Sequence, residues 1–204
     1  MSKRLIIAMM LLSLCTACVQ STVAPTTELQ HSNSELVEIA NGLMFELQAN
    51  NDVIKAKHDL STQQLQSVTI EFDKQTKQLL VASEISREKL NMVAMSPAGM
   101  VLFEITWRYG SAIEVTRSEM LKNISALNIL ADFQLVTLPL TQLQYSLPKA
   151  VIVENGDISR MVRTITYKDE SLISIEYIGN QQINFIHHQR KYQIKIKTLE
   201  SSSL

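Results

Sequence analysis

The chain holds 204 residues, with 19 Lys and Arg against 20 Asp and Glu and a formal net charge of −1. At 46% hydrophobic and 19% charged, with only 5 Gly and 4 Pro, its composition excludes a disordered or collagen-like chain, and the balance of charge excludes a nucleic-acid partner. Both cysteines, Cys15 and Cys18, sit near the N-terminus, so the remainder has no disulfide framework and no thiol chemistry and depends on an apolar core.

The first segment reads as an export leader. Lys3 and Arg4 supply a positive start, and Leu5 to Leu14 form an apolar run. That run is well short of the roughly 20 residues that span a bilayer, which suits the core of a signal peptide. It ends in Cys15-Thr16-Ala17-Cys18, which resembles the lipobox of bacterial lipoproteins, with Cys15 where Leu is usual. The resemblance implies a signal peptide over 1–17 and Cys18 as the acceptor of diacylglycerol, its freed amine then acylated with a palmitate-like chain. No other cofactor is expected, and the alternative is ordinary secretion with cleavage nearby. Two or three acyl chains anchor firmly, at about 0.8 kcal/mol per buried methylene. Val19 rather than Asp follows Cys18, which by resemblance implies the outer membrane of a Gram-negative bacterium, on its periplasmic face. Without the leader, 17 basic side chains face 20 acidic ones, a net of −3.

Residues 18–34, rich in Ser, Thr, Gln and Asn, read as a flexible tether, and 35–200 as a single domain. Ser32 and Glu35 have capping-box spacing, and Leu36, Ile39, Leu43 and Leu47 follow at helical intervals. A short helix near 34–48 is the expectation, with a strand over 43–49 as the alternative, since Gly42 interrupts the helix. From Gln66 the period becomes two. Strands are expected at 66–72, 79–85, 89–95 and 101–109, continuing through Ile113 and Val115, with short connections that imply an antiparallel meander. Ser125 can cap a helix carrying Leu127, Leu130 and Phe133, and Pro139 suits the first turn of a second helix that Pro148 ends. Strands resume at 150–154, 160–167, 171–178, 182–188 and 192–199, with Asn155-Gly156 as a hairpin turn. The tail 201–204 is expected to fray. The sum is a mainly β (α+β) fold: a curled antiparallel half-barrel sheet of about ten strands with a helical lid or plug.

No catalytic constellation emerges, and no enzyme is expected. His187 and His188 are adjacent on a strand and point to opposite faces, so they cannot share a metal, and no other cluster completes a site. Asp132 and Gln134 sit in an apolar helical stretch, where a buried Asp reads as a functional group or, more commonly, as a cap or a tie to a neighbouring loop, and Asp169-Glu170 reads as a hairpin turn. Arg190, Lys191, Lys195 and Lys197 form a small basic patch that reads as a solvated strand face or a contact for anionic head groups.

From Leu65 to Glu200 the pieces LQSVTIEF, LLVASEI, KLNMVAMSPAGMVLFEI, LADFQLVTLPL and YQIKIKTLE resemble a family of bacterial outer-membrane lipoproteins of uncharacterised function. Its genes often lie in aryl-polyene and related fatty-acid-like biosynthesis clusters. Leu138 stands where the family has an aromatic residue. The resemblance implies an architecture similar to the LolA/LolB type of periplasmic lipoprotein carrier and receptor, a half-barrel with helical lids over an apolar cavity. It brings no catalytic residue.

The functional expectation is a lipoprotein that binds or transfers a lipid-like molecule, either an acylated cargo or an aryl-polyene lipid. Phe103, Ile105, Trp107, Leu127, Leu130, Phe133 and Leu138 are the candidate cavity lining, or else plain core. Partners would be the membrane, the cargo, and a periplasmic carrier or biosynthesis-complex protein. The second expectation is a non-catalytic assembly or interaction lipoprotein of a biosynthesis or envelope complex, using a sheet edge.

Overall fold

The computed structural model describes residues 26–30, 36–48, 61–121 and 124–203. The leader, Cys18 and most of the proposed tether lie outside the described residues.

One antiparallel sheet of eleven strands dominates. Its strands are β1 (Thr26–Gln30), β4 (Thr62–Phe72), β5 (Gln75–Ile85), β6 (Lys89–Met95), β7 (Val101–Arg108), β8 (Ile113–Arg117), β9 (Val151–Gly156), β10 (Arg160–Tyr167), β11 (Glu170–Ile178), β12 (Gln182–His187) and β13 (Tyr192–Ser203). β2 (Leu36–Ala40) and β3 (Leu43–Glu46) form a separate hairpin. Between β8 and β9 lie a 3-10 turn, Glu119–Leu121, and helices α1 (Ala126–Thr137) and α2 (Leu140–Ser146). The order in the large sheet is β1-β8-β7-β6-β5-β4-β13-β12-β11-β10-β9, so the first meander and the last join where β4 pairs with β13. The sheet is open, with β1 and β9 as its edges. The expected mainly β, antiparallel half-barrel with helices on one side is the observed fold class.

The inner face follows from the strand period. Cross-strand partners share a face, so the register carries Tyr192, His187, Ile173, Ile165 and Ile152 inward in one row, and Trp107 with Leu90 in another. These side chains, α1, α2 and the β2–β3 hairpin build one apolar cluster. α1 begins as the capping signal predicts: Ser125 is extended, and its hydroxyl accepts the Asn128 backbone N–H at 3.4 Å. Pro139 caps α2, which stops before Pro148.

Four expectations need correction. The segment 36–46 is a hairpin, not a helix. Val37 and Ile39 are inward on one strand and Leu43 and Phe45 on the other, while Gly42 takes the positive φ of 77° that the turn requires. The tether is shorter than drawn, because Thr26–Gln30 pairs in register with Gln30 opposite Ile113. The tail does not fray at 201–203: Ser201, Ser202 and Ser203 pair with Gln64, Gln63 and Thr62. The β9–β10 turn is centred after Asn155-Gly156, with Asp157 and Arg160 exchanging both backbone hydrogen bonds.

Candidate functional site

The expected site is the space between α1 and the inner face. Phe103, Ile105 and Trp107 project from alternate positions of β7, and all three are buried. Leu130 and Leu138 are buried against them in the same cluster, and Leu127 and Phe133 are partly buried at its border. All seven belong to or border the one apolar cluster, as packed core. The mostly apolar recess beside them, lined by Phe103, Val115, Arg117, Leu121, Ile124, Ala126 and Ile129, has a volume of about 10 Å³. That is at or below the room one water needs. The hairpin explains the filling: Val37, Ile39, Leu43, Phe45 and Leu47 are all buried, occupying inner-face space that a sheet plus two helices would leave hollow.

One feature of this core is not satisfied. Trp107 is fully buried, and its indole Nε1 has no hydrogen-bond partner among the described residues. An unmade hydrogen bond of this kind costs about 1–3 kcal/mol.

α1 is held down by polar links from four partners, all at its C-terminal half. Arg163, on the inner face of β10, is buried and donates from Nη1 to the Leu135 carbonyl at 2.7 Å. Its Nε donates to Glu154 at 2.8 Å, and its guanidinium lies 5.3 Å from the Tyr177 ring centre. The Tyr177 hydroxyl donates to the Val136 carbonyl at 2.7 Å, and burial pushes its pKa up to about 12. These carbonyls end a helix, where cations and donors are favoured. The Tyr192 hydroxyl donates to Asp132 at 2.5 Å. Burial raises the Asp132 pKa to about 6, against the opposing effects of that bond and of Arg190. Gln134 pairs with the backbone of Gln48, accepting from its N–H at 2.8 Å and donating to its C=O at 2.7 Å. Gln134 ties α1 to the segment after β3, whereas Asp132, expected to cap or tie a loop, is bonded to Tyr192 on strand β13.

The hairpin is latched separately. The His187 ring Nε2 lies 2.9 Å from the Ile39 carbonyl, and its Nδ1 accepts the Arg190 backbone N–H at 3.3 Å. That pattern fixes the neutral tautomer with the proton on Nε2. Burial lowers the His187 pKa to about 4. Tyr167 and Arg190 donate to the carbonyls of Gly42 and Glu38. Sequence reasoning missed Arg163, Tyr177 and Tyr192, because a lone Arg or Tyr on an alternating strand carries no local mark of its helix partner.

His188 points the other way, to the outer face, where its Nε2 lies 2.8 Å from Ser174 Oγ. The pair sits on an exposed strand surface, and no carboxylate among the described residues orients the ring, so it lacks the third member of a nucleophile triad. No group of three metal-ligating side chains occurs among the described residues. Lys195 pairs with Glu71 at 2.7 Å on the solvated face.

An open antiparallel sheet with helices and a hairpin closed over its inner face defines a half-barrel of the lidded kind. The chain belongs to the family of proteins of unknown function DUF3261, whose model matches residues 63–200 and so covers the residues on which the sequence resemblance rests. No curated protein is significantly similar to the chain. Among solved structures, the chain is similar to a domain from Vibrio parahaemolyticus named as an outer membrane lipoprotein-sorting protein. The identity is 8%, the coverage 73% of this chain and 88% of that one, and the TM-score 0.36.

Proposed function

We propose that the protein is a lipoprotein of the Gram-negative outer membrane, anchored through Cys18 on the periplasmic side, that takes an acyl or polyene-like chain between α1 and the sheet. The observation that carries this is the way α1 is held. Its C-terminal half, from Asp132 to Val136, is fastened by four polar partners, while its N-terminal half, from Ala126 to Ile129, borders a mostly apolar recess and has near it only the Arg117 bond to the Ile124 carbonyl before the helix starts. A helix so mounted can swing at one end and expose Phe103, Ile105 and Trp107 without breaking the sheet. The resemblance to lidded half-barrels supports the same reading, with a periplasmic carrier or a biosynthesis-complex protein as the exchange partner.

Native mass spectrometry of the protein purified from its own host tests this. A co-purified lipid mass that is lost on organic extraction is the expected result. Protein free of lipid, from cells known to make the product, would instead favour an assembly lipoprotein. The filled interior and the edge strand β9, with Val151 and Val153 exposed, favour that second reading.

A further inference from the structure

Three turns at one end of the sheet share a property. Among the described residues, five non-glycine residues have positive φ: Asp73, Lys74, Lys168, Asp169 and Lys191. All lie in three turns, β4–β5, β10–β11 and β12–β13, at the same end. The register places those turns side by side, since Phe72 pairs with Tyr192, Tyr192 with His187, His187 with Ile173, and Ile173 with Ile165. Two are two-residue hairpin turns with both residues left-handed, positions that favour Asn-Gly. Glycine takes the positive φ in the β6–β7 turn at this same end, at Gly99, and at the opposite end, at Gly110 and Gly179. Asp tolerates the left-handed region because its short side chain bonds locally, whereas Lys has no such backbone bond, and among the described residues only Lys168 has a local contact, its ammonium 4.9 Å from the Tyr167 ring centre. The fold therefore holds three lysines at a conformational cost that glycine or asparagine would avoid.

The surroundings point to what the lysines meet. Phe72, beside Lys74, is 57% exposed. An open recess of about 480 Å³ separates the β4–β5 and β12–β13 turns and is lined by Phe72, Lys74, His188 and Lys191. The rim carries Lys74, Lys149, Lys168, Arg190 and Lys191 against Asp73, Asp169, Glu170 and the hairpin's Glu38, while Glu71 at the recess is paired with Lys195, so basic groups outnumber acidic ones by one. Exposed aromatic and lysine side chains together are the composition of a membrane–water interface. The tether agrees. β1 runs away from this rim, so its first residue, Thr26, is its end nearest the rim. Cross-sheet register puts Thr26 level with Gln66, about 20 Å along the strands from Phe72. Cys18 to Thr26 can span at most about 28 Å.

We infer that this lysine-tipped rim rests on the anionic lipid leaflet to which Cys18 is anchored, with Lys74, Lys168 and Lys191 as its head-group contacts. The inference rests on the proposed anchor for its orientation, and its test separates the two. Full-length lipidated protein carries a thiol-reactive fluorophore at Gln75→Cys on the rim or at Asn180→Cys on the opposite end. It is placed in phosphatidylcholine vesicles containing head-group spin-labelled lipid, with or without phosphatidylglycerol. Flotation with phosphatidylcholine alone reads the anchor, and quenching reads the rim. The expected result is quenching at 75 several-fold above that at 180 when phosphatidylglycerol is present. Affinity for the anionic surface should fall about fivefold for each lysine changed in Lys74→Asn, Lys168→Asn and Lys191→Asn. Asparagine suits the left-handed turns, so these variants keep the fold. Equal quenching at both ends, or a triple variant that behaves as the native chain, overturns the inference even if the protein floats. Failure to float with end-selective quenching intact overturns only the anchor.

Discussion

Arg163 on β10, only 4% exposed, donates at 2.7 Å to the carbonyl of Leu135, two residues before the end of α1. A residue of the last meander therefore holds down the helix that precedes it, and does so while paired with Glu154 on the neighbouring strand. Replacing Arg163 with Met keeps the bulk and removes the charge, leaving Glu154 and the Leu135 carbonyl without their cation. Loss of one partner of a buried pair costs about 3–5 kcal/mol, with the low end expected here because Glu154 is partly exposed. Urea unfolding measures that loss. Faster amide exchange in α1 than in β10 would show the helix released ahead of the sheet.

Asp132 and His187 oppose one another in acid. Asp132 has its pKa raised by burial to about 6, so its effect on stability is most favourable below about pH 4 and is lost as pH rises through 6. His187 has its pKa lowered by burial to about 4, so its contribution is full above about pH 6.5 and is lost as pH falls toward 4. Each is worth about 3 kcal/mol at 1.36 kcal/mol per unit, so the native protein should show a nearly flat stability profile between pH 4 and 7. Asp132→Asn, which still accepts from Tyr192, should be more stable at pH 7 and lose that advantage on acidification. Denaturation midpoints across this range decide it, and a native profile that falls steeply in acid would contradict the pairing.

Gln134 acts as a piece of backbone for Gln48, satisfying one N–H and one C=O where the hairpin leaves the core. Gln134→Ala strands both groups, at a cost of about 2–4 kcal/mol from two lost hydrogen bonds in a part-buried site. Gln134→Glu restores the acceptor alone and should recover only part of it. Thermal melts of the three proteins give the ranking.

Two glycines test the turns. A Cβ on Gly156, at φ +116°, would stand 2.1 Å from the Arg160 carbonyl oxygen, so Gly156→Ala must displace backbone. At Gly42, φ +77°, the nearest atom is the Tyr167 hydroxyl at 3.7 Å, and only the left-handed strain of about 1–2 kcal/mol applies. Gly156→Ala should therefore lower the melting temperature well beyond Gly42→Ala.

The strands of both meanders were legible because each buries one face and alternates. The α1 boundaries were legible because Ser125 and Pro139 act through their own backbone chemistry. The hairpin was not. Ile39, Leu43 and Leu47 fit a helix, and Val37, Ile39, Leu43 and Phe45 fit two strands. Leu36, which a helix would bury with Ile39, is 44% exposed. The choice falls to His187 and Arg190, about 150 residues away in sequence, which capture the carbonyls of Ile39 and Glu38.

The candidate lining shows the same division. Alternation alone placed Phe103, Ile105 and Trp107 together on one face, since a period of two leaves no other arrangement. Whether that face bounds a hollow or a filled core depended on what else came to rest on it, and the hairpin filled it. By itself, then, the sequence determined the strands, the caps, the leader-like start and the absence of thiol chemistry beyond it, all of which follow from spacing along the chain. Only the tertiary structure decided the closed interior, the polar fastening of α1 and the row of lysine-tipped turns. Those depend on contacts between segments far apart in the chain, and no local period encodes them.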